Sequence, residues 1–325
     1  MANVSGAGTL WNLPNVDGML FNKSKVTTPL MSRINDVRVA DNNEFAMGAG
    51  WDLESVSQPT ITETASLTAP TPVSYTRSNE TNVTQIFQKQ ISVSYQKLAN
   101  SGRLRYPEVG TSGQGYSTYP GQNSAPDEWM FQVEANLQQI RAEMEYTFLN
   151  GTYQLATAAN VAYQTRGIIT GSTTNTVAAG SADLSKALLD ALLKEMADNN
   201  ADFDSGNFVI MVNSFQKQKL SALFTYEPPS RNEGGANIQR IFTDFASMDV
   251  VYNHRVPAGT LAIIDTSKLA VVFTPVPDKE VNDSFMILEP LAKTGAGEKW
   301  QMFGMVGIDY GSSIYHGTLT GLATS

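Results

Sequence analysis

Cysteine is absent from all 325 residues, which removes disulfides, thiolate nucleophiles and thiolate metal sites together and fits a chain made in a reducing cytoplasm. Histidine is scarce: His254 and His316 are the only two. A Ser-His-Asp arrangement can be assembled nominally around either. No Gly-x-Ser-x-Gly elbow accompanies them, however, and each reads as a surface or interface histidine. No apolar run approaches the roughly 20 residues of a membrane span, and Met1 to Phe21 has neither a basic start nor a continuous apolar centre, so neither a membrane segment nor a secretory signal is legible. Positive charge is in deficit, with 22 Lys and Arg against 31 Asp and Glu, a net charge of −9. A sequence-independent grip on nucleic acid needs clustered Lys and Arg to neutralise phosphates, and that balance argues against one. Lys97, Arg103 and Arg105, near Tyr106, read as a solvated basic turn. Asn200, Asp202, Asp204 and Gly206 resemble the opening of a calcium loop, but the glycine comes one place late and Met211 stands where a bidentate glutamate is needed. No catalytic, cofactor-binding or metal-ligating residue is assigned, and the chain reads as a non-enzyme.

What the sequence does contain is an asymmetry between its two ends. Met130, Val133, Leu137, Ile140, Met144 and Phe148 recur at steps of three and four, which predicts one long amphipathic helix over 127–150. Ser124 or Asp127 can cap its start, and Gly151 suits a left-handed stop. Glu134, Gln138, Arg141 and Glu145 fall largely outside the apolar stripe. Before this helix lie more than a hundred Thr/Ser/Asn/Gly-rich residues without a comparable core-forming segment. Residues 1–48 show isolated large apolar side chains (Leu10, Trp11, Leu20, Phe21) but no periodicity. Fixing such a segment costs on the order of 1 kcal/mol per residue in backbone entropy, so it stays disordered or is held by contacts from elsewhere, and its scattered large apolar residues favour the second. From Ser55 to Ala99 the texture alternates as in strands, with Ile61 between threonines and Ile91, Val93 and Tyr95 alternating with serines, which predicts a long hairpin. A lone hairpin is marginal in water and has to lie against something.

After the long helix come a second helix from Leu184 to Ala197, a buried strand at Phe208–Val212, and a third helix capped by Ser214. Strand-like runs follow at Val250–Tyr252, Leu261–Ile264, Ala270–Phe273, Phe285–Leu288 and Trp300–Tyr310. The class is α+β rather than regular βαβ alternation.

This order resembles the major capsid protein of tailed bacteriophages, with its Hong Kong 97-type fold. The likeness is carried by Thr84-Gln85-Ile86-Phe87 leading into Ser92-Val93-Ser94, by Glu145-Tyr146-Thr147-Phe148-Leu149-Asn150-Gly151, and by Val209-Ile210-Met211-Val212-Asn213 before a lysine-bearing helix. Gly259-Thr260-Leu261-Ala262-Ile263-Ile264-Asp265 and the closing strand from Gly304 to Tyr310 add to it. The resemblance implies an N-terminal arm (1–48), an extended hairpin loop (49–100) and a peripheral domain (101–181) with its spine helix at 127–150. An axial domain (182–265) and a return to the peripheral domain (266–325) complete the order.

It also implies a virion protein, made in the host cytoplasm, that self-assembles into hexamers and pentamers of an icosahedral head. Such a head encloses double-stranded DNA without sequence-specific binding, needs no cofactor or membrane, and has portal and scaffolding or decoration proteins as partners. The contact residues expected between subunits are Leu10, Trp11, Leu20 and Phe21 for the arm and Ile61, Ile91, Val93 and Tyr95 for the hairpin. Deleting residues 1–30 is expected to abolish shells and leave a folded subunit. Another self-assembling phage component, such as a tail tube or sheath, is the alternative.

Overall fold

The computed structural model describes residues 27–52, 67, 76–96, 105–107, 116–118, 128–224, 239–276 and 286–324. In chain order its strands are β1 (Asp36–Val39), β2 (Glu44–Asp52), β3 (Thr76–Val83), β4 (Gln85–Ser94), β5 (Arg105–Pro107), β6 (Tyr116–Thr118), β7 (Asn175–Ala178), β8 (Phe208–Val212), β9 (Arg240–Phe242), β10 (Ser247–Tyr252), β11 (Leu261–Asp265), β12 (Ala270–Phe273), β13 (Ile287–Pro290), β14 (Gly297–Asp309) and β15 (Gly317–Thr320). The helices are α1 (Glu128–Asn150), α2 (Ile168–Gly171), α3 (Lys186–Asp198) and α4 (Ser214–Leu223). The chain divides into two units, one built largely on Ile86–Met144 and Val276–Gly304, the other on Pro29–Gln85, Glu145–Pro275 and Met305–Ser325.

In the second unit a six-stranded sheet runs in the order β7-β15-β11-β8-β10-β9. Its two central strands, Phe208–Val212 and Leu261–Asp265, are buried at every position, which explains why both read as continuous apolar runs rather than alternations. One face of the sheet (Phe208, Ile210, Val212, Leu261, Ile263, Leu319) packs on Leu189, Leu192, Leu193 and Met196 of α3. Ser185 caps α3 by accepting from the Leu188 amide at 3.4 Å. For α4 the cap is Asn213, which accepts from the Gln216 amide at 2.9 Å, rather than the expected Ser214, which is the first helical residue.

The long helix forms as expected, from Glu128 to Asn150. Ile140, Met144 and Phe148 of the expected stripe are fully buried, but Leu137 remains 39% exposed and Phe131 40%. Gly151 does not take a left-handed conformation. Its need for glycine is steric: a Cβ there would run into the carbonyl oxygens of Thr165 and Thr147.

Two expectations change at the N-terminal end. Residues 36–39 form β1, parallel to β12, and residues 44–52 form β2, antiparallel to β3 with a bulge between Met47 and Ala49. Ordered structure therefore starts before residue 48, because both strands find partners in later parts of the chain. The hairpin ribbon is β2–β3. The strand β4 leaves it after Thr84 and pairs with β14 instead, where the Tyr95 amide donates to Ala296 O at 3.1 Å. The six-stranded sheet, for its part, takes in Asn175–Ala178 and Gly317–Thr320 from either side of the 182–265 segment.

Candidate functional site

The two histidines are the first candidates for chemistry. His316 is fully buried, not at a surface. Its Nδ1 accepts from the Asp265 amide at 3.2 Å and its Nε2 donates to Tyr310 O at 2.7 Å. Both ring nitrogens are committed to backbone, so neither can abstract a proton from a substrate. The Asp265 carboxylate points elsewhere, its Oδ1 accepting from Asn207 N, Ser267 N and Ser267 Oγ at 2.7–3.0 Å. The trio is a structural joint between β11 and the segment that leads into β15.

Burial pushes the His316 pKa down from 6.5 to about 4. A base whose folded pKa is depressed takes up its proton more readily when unfolded. Its stabilising share is therefore complete above about pH 6.5 and is lost as pH falls towards 4, on the order of 3 kcal/mol in all. Glu145 and Asp309 carry the opposite sign: burial raises both carboxyls, so their shares are present in acid and fade as pH rises through the raised values. Urea midpoints between pH 4 and 7, compared with those of His316→Gln, isolate the histidine; the wild-type protein should lose its advantage over the variant across that window.

A second node lies at the root of the ribbon. Asn82, wholly buried on β3, donates through Nδ2 to Ile308 O at 2.8 Å and Arg166 O at 3.1 Å, while its Oδ1 accepts from Arg166 N at 2.8 Å and Val83 N at 2.9 Å. One amide thus joins three separate chain segments with all four of its hydrogen-bonding capacities used. Beside it Thr84 Oγ1 meets Thr274 Oγ1 at 3.0 Å and Asn43 Oδ1 at 3.2 Å. An open cleft of about 510 Å³, lined by Asn42, Asn43, Phe45, Thr81 and Tyr163, flanks this root.

Leu10, Trp11, Leu20, Phe21 and Ile61 lie outside the described residues. Ile91 and Val93 are each only 2% exposed: β4 alternates with Phe87, Ile91 and Val93 turned inward. They face their own subunit and offer no free surface to a neighbour. Tyr95 is 42% exposed; its hydroxyl donates to Glu298 Oε1 at 3.0 Å and accepts from Lys293 Nζ at 3.1 Å, and Lys293 also pairs with Glu298 at 2.7 Å.

The residue that periodicity misses is Glu145. Counted with the polar side of α1, it is completely buried. Its two oxygens accept from consecutive backbone amides, Leu30 N at 2.8 Å and Met31 N at 2.9 Å, and Asn253 Nδ2 donates to it at 2.6 Å. Burial is the main cause of its raised pKa; the three hydrogen bonds and the charge of Arg255 oppose it. No pattern around Glu145 announces this, because its partners are 108 to 115 residues away.

Solved structures share this architecture. The cyanophage A-1(L) capsid protein aligns over 95% of this chain and 97% of its own, with a TM-score of 0.63 at 11% identity. The capsid protein of a native GTA particle aligns over 95% of both chains, at 0.60 and 13%. The encapsulin of the holo-SrpI complex from Synechococcus elongatus aligns over 96% and 94%, at 0.58 and 7%. The fold is therefore the one used by phage capsid and encapsulin chains. Within it the sequence is more specific: the SU10 major capsid protein model matches residues 3–323, and the chain belongs to that family. It is a structural capsid protein and a component of the virion. No curated protein matches the sequence.

Proposed function

We propose that copies of this chain join into hexamers and pentamers of an icosahedral head around double-stranded DNA, with the β2–β3 ribbon and the residues before Pro29 lying on neighbouring copies. The observation that carries this reading is the ribbon itself. Its two strands pair with each other over eight registered positions and form a sheet of their own. A two-stranded ribbon is marginal in water, and packing on a neighbouring copy supplies the missing face. The uncovered apolar residues of α1, Phe131 and Leu137, offer further contact area. A shell subunit sums many modest contacts, each near the roughly 1,600 Å² of a standard interface or below, into a closed lattice.

The net charge of −9 suits a container, since like-charged walls do not hold packaged DNA. Portal and scaffolding or decoration proteins are the further partners this role requires, and synthesis in the host cytoplasm fits the lack of cysteine.

Electron microscopy of purified protein tests the proposal: closed shells or flat hexamers support it, and rods contradict it in favour of a tube or sheath. Removing the arm tests the intersubunit role. The cut belongs after residue 26 rather than 30, because Leu30 is fully buried and its amide is bound by Glu145. The protein lacking residues 1–26 should keep its circular dichroism and melting transition while sedimenting as monomers or single capsomers. Normal shells from that deletion would remove the arm from the assembly contacts.

A further inference from the structure

Near the start of the described residues the backbone is held at a fixed point, Leu30–Met31. Leu30 is buried, and the turn Met31–Arg33 that follows is closed by Arg33 N donating to Leu30 O at 2.9 Å. The consecutive amides of Leu30 and Met31 both point at the Glu145 carboxylate, which takes one on each oxygen. Asn253 completes the grip: its Nδ2 reaches Glu145, while its Oδ1 accepts from Arg255 N at 3.0 Å and so keeps the amide oriented. A few residues on, Arg33 pairs with Asp249 of β10 at 3.6 Å.

A buried carboxylate is a costly choice for holding a turn. The desolvation of the ion outweighs much of what its partners return, and an apolar contact of similar volume would commonly be as stable or more so. What the ion adds is direction. Two convergent N–H donors and one amide fix the backbone at Leu30–Met31 in a single orientation, which an apolar plug alone does not.

We propose that Glu145 and Asn253 are positioning residues that grip the chain at Leu30–Met31, so that residues 1–28 leave the body in one direction and reach a neighbouring copy in register. This rests on the assembly reading above. The substitution Glu145→Gln is nearly isosteric, but a glutamine side chain has one oxygen for two amides, and its own Nε2 would face the second donor.

The test uses the full chain as wild type, Glu145→Gln and Asn253→Ala, with two readouts. Hydrogen–deuterium exchange of the peptide covering Leu30 and Met31 reports the grip. In Glu145→Gln it should accelerate about tenfold or more, the size expected for losing a charge-assisted hydrogen bond in a locally opening segment. Exchange in β8 and β11 should stay unchanged. Particle yield by negative-stain microscopy reports the consequence, and well-formed shells should be lost or become irregular. Unchanged exchange at Leu30 and Met31 would overturn the grip. Fast exchange with normal shells would overturn the positioning role. Asn253→Ala leaves the carboxylate in place and provides the same two comparisons if Glu145→Gln does not fold. If wild type itself forms no shells, it is the assembly reading that fails, and with it the positioning role; the exchange comparison still reads the grip separately.

Discussion

Asn82→Ala is expected to lower the stability of the folded chain by about 3–5 kcal/mol, read as a fall in urea midpoint at constant m-value. The size follows from what the alanine leaves behind. Four backbone groups, Ile308 O, Arg166 O, Arg166 N and Val83 N, lose the partner they now share, and the site is closed to water. Asn82→Asp is a sharper probe still. It keeps the acceptor for Arg166 N and Val83 N, but it turns an oxygen towards two carbonyls that need a donor. At neutral pH it should be at least as damaging as alanine. A loss below about 1 kcal/mol in both variants would mean that the ribbon root is held by something other than this amide.

The second large effect is steric. Gly167 lies beyond the end of the long helix and packs back against it, with its amide donating to Gly151 O at 2.9 Å. Its φ of −83° suits any residue. The space does not, because a Cβ would stand 2.6 Å from Gly151 N and from the carbonyl carbon and oxygen of Leu149. Those are backbone atoms, which cannot turn aside as a side chain can. Gly167→Ala is therefore expected to cost about 4 kcal/mol or more, or to prevent folding at physiological temperature. Gly180→Ala is the matched control. That glycine has φ +58°, but a Cβ added to it would meet nothing within 4 Å, so only the backbone penalty of about 1 kcal/mol applies. Thermal scans of the two variants side by side would separate crowding from conformation.

Periodicity captures what is local. The long helix, α3, and the runs that form β8, β11 and β12 all announce themselves, because each carries its burial pattern within its own residues. The six-stranded sheet is less legible, since β7 and β15 come from either side of the 182–265 segment. The ribbon shows the reason for the remaining differences. Alternation along Gln85–Ser94 says that one face is buried, but it does not say which strand lies beside it or whether the cover comes from the same chain; Ile91 and Val93 are covered from within. Glu44–Asp52 has the converse problem: its partner, Thr76–Val83, is polar at every position but the last, so no matching apolar pattern announces the pair. Of the candidate contacts, the grip on Leu30 and Met31 is the least visible, because a glutamate on the polar side of a helix carries no sign that a distant turn will bury it. His316 is a similar case, a core residue whose two partners are peptide groups rather than side chains.

The place of β15 has a consequence for how the molecule is made. Residues 317–320 run between β7 and β11, parallel to one and antiparallel to the other. While a ribosome is still translating, Asn175–Ala178 and Leu261–Asp265 therefore emerge with facing edges and no strand to fill the gap. A nascent chain released before residue 317 would keep those edges raw, and a prematurely terminated product would be marked by its own open sheet before it could enter a particle.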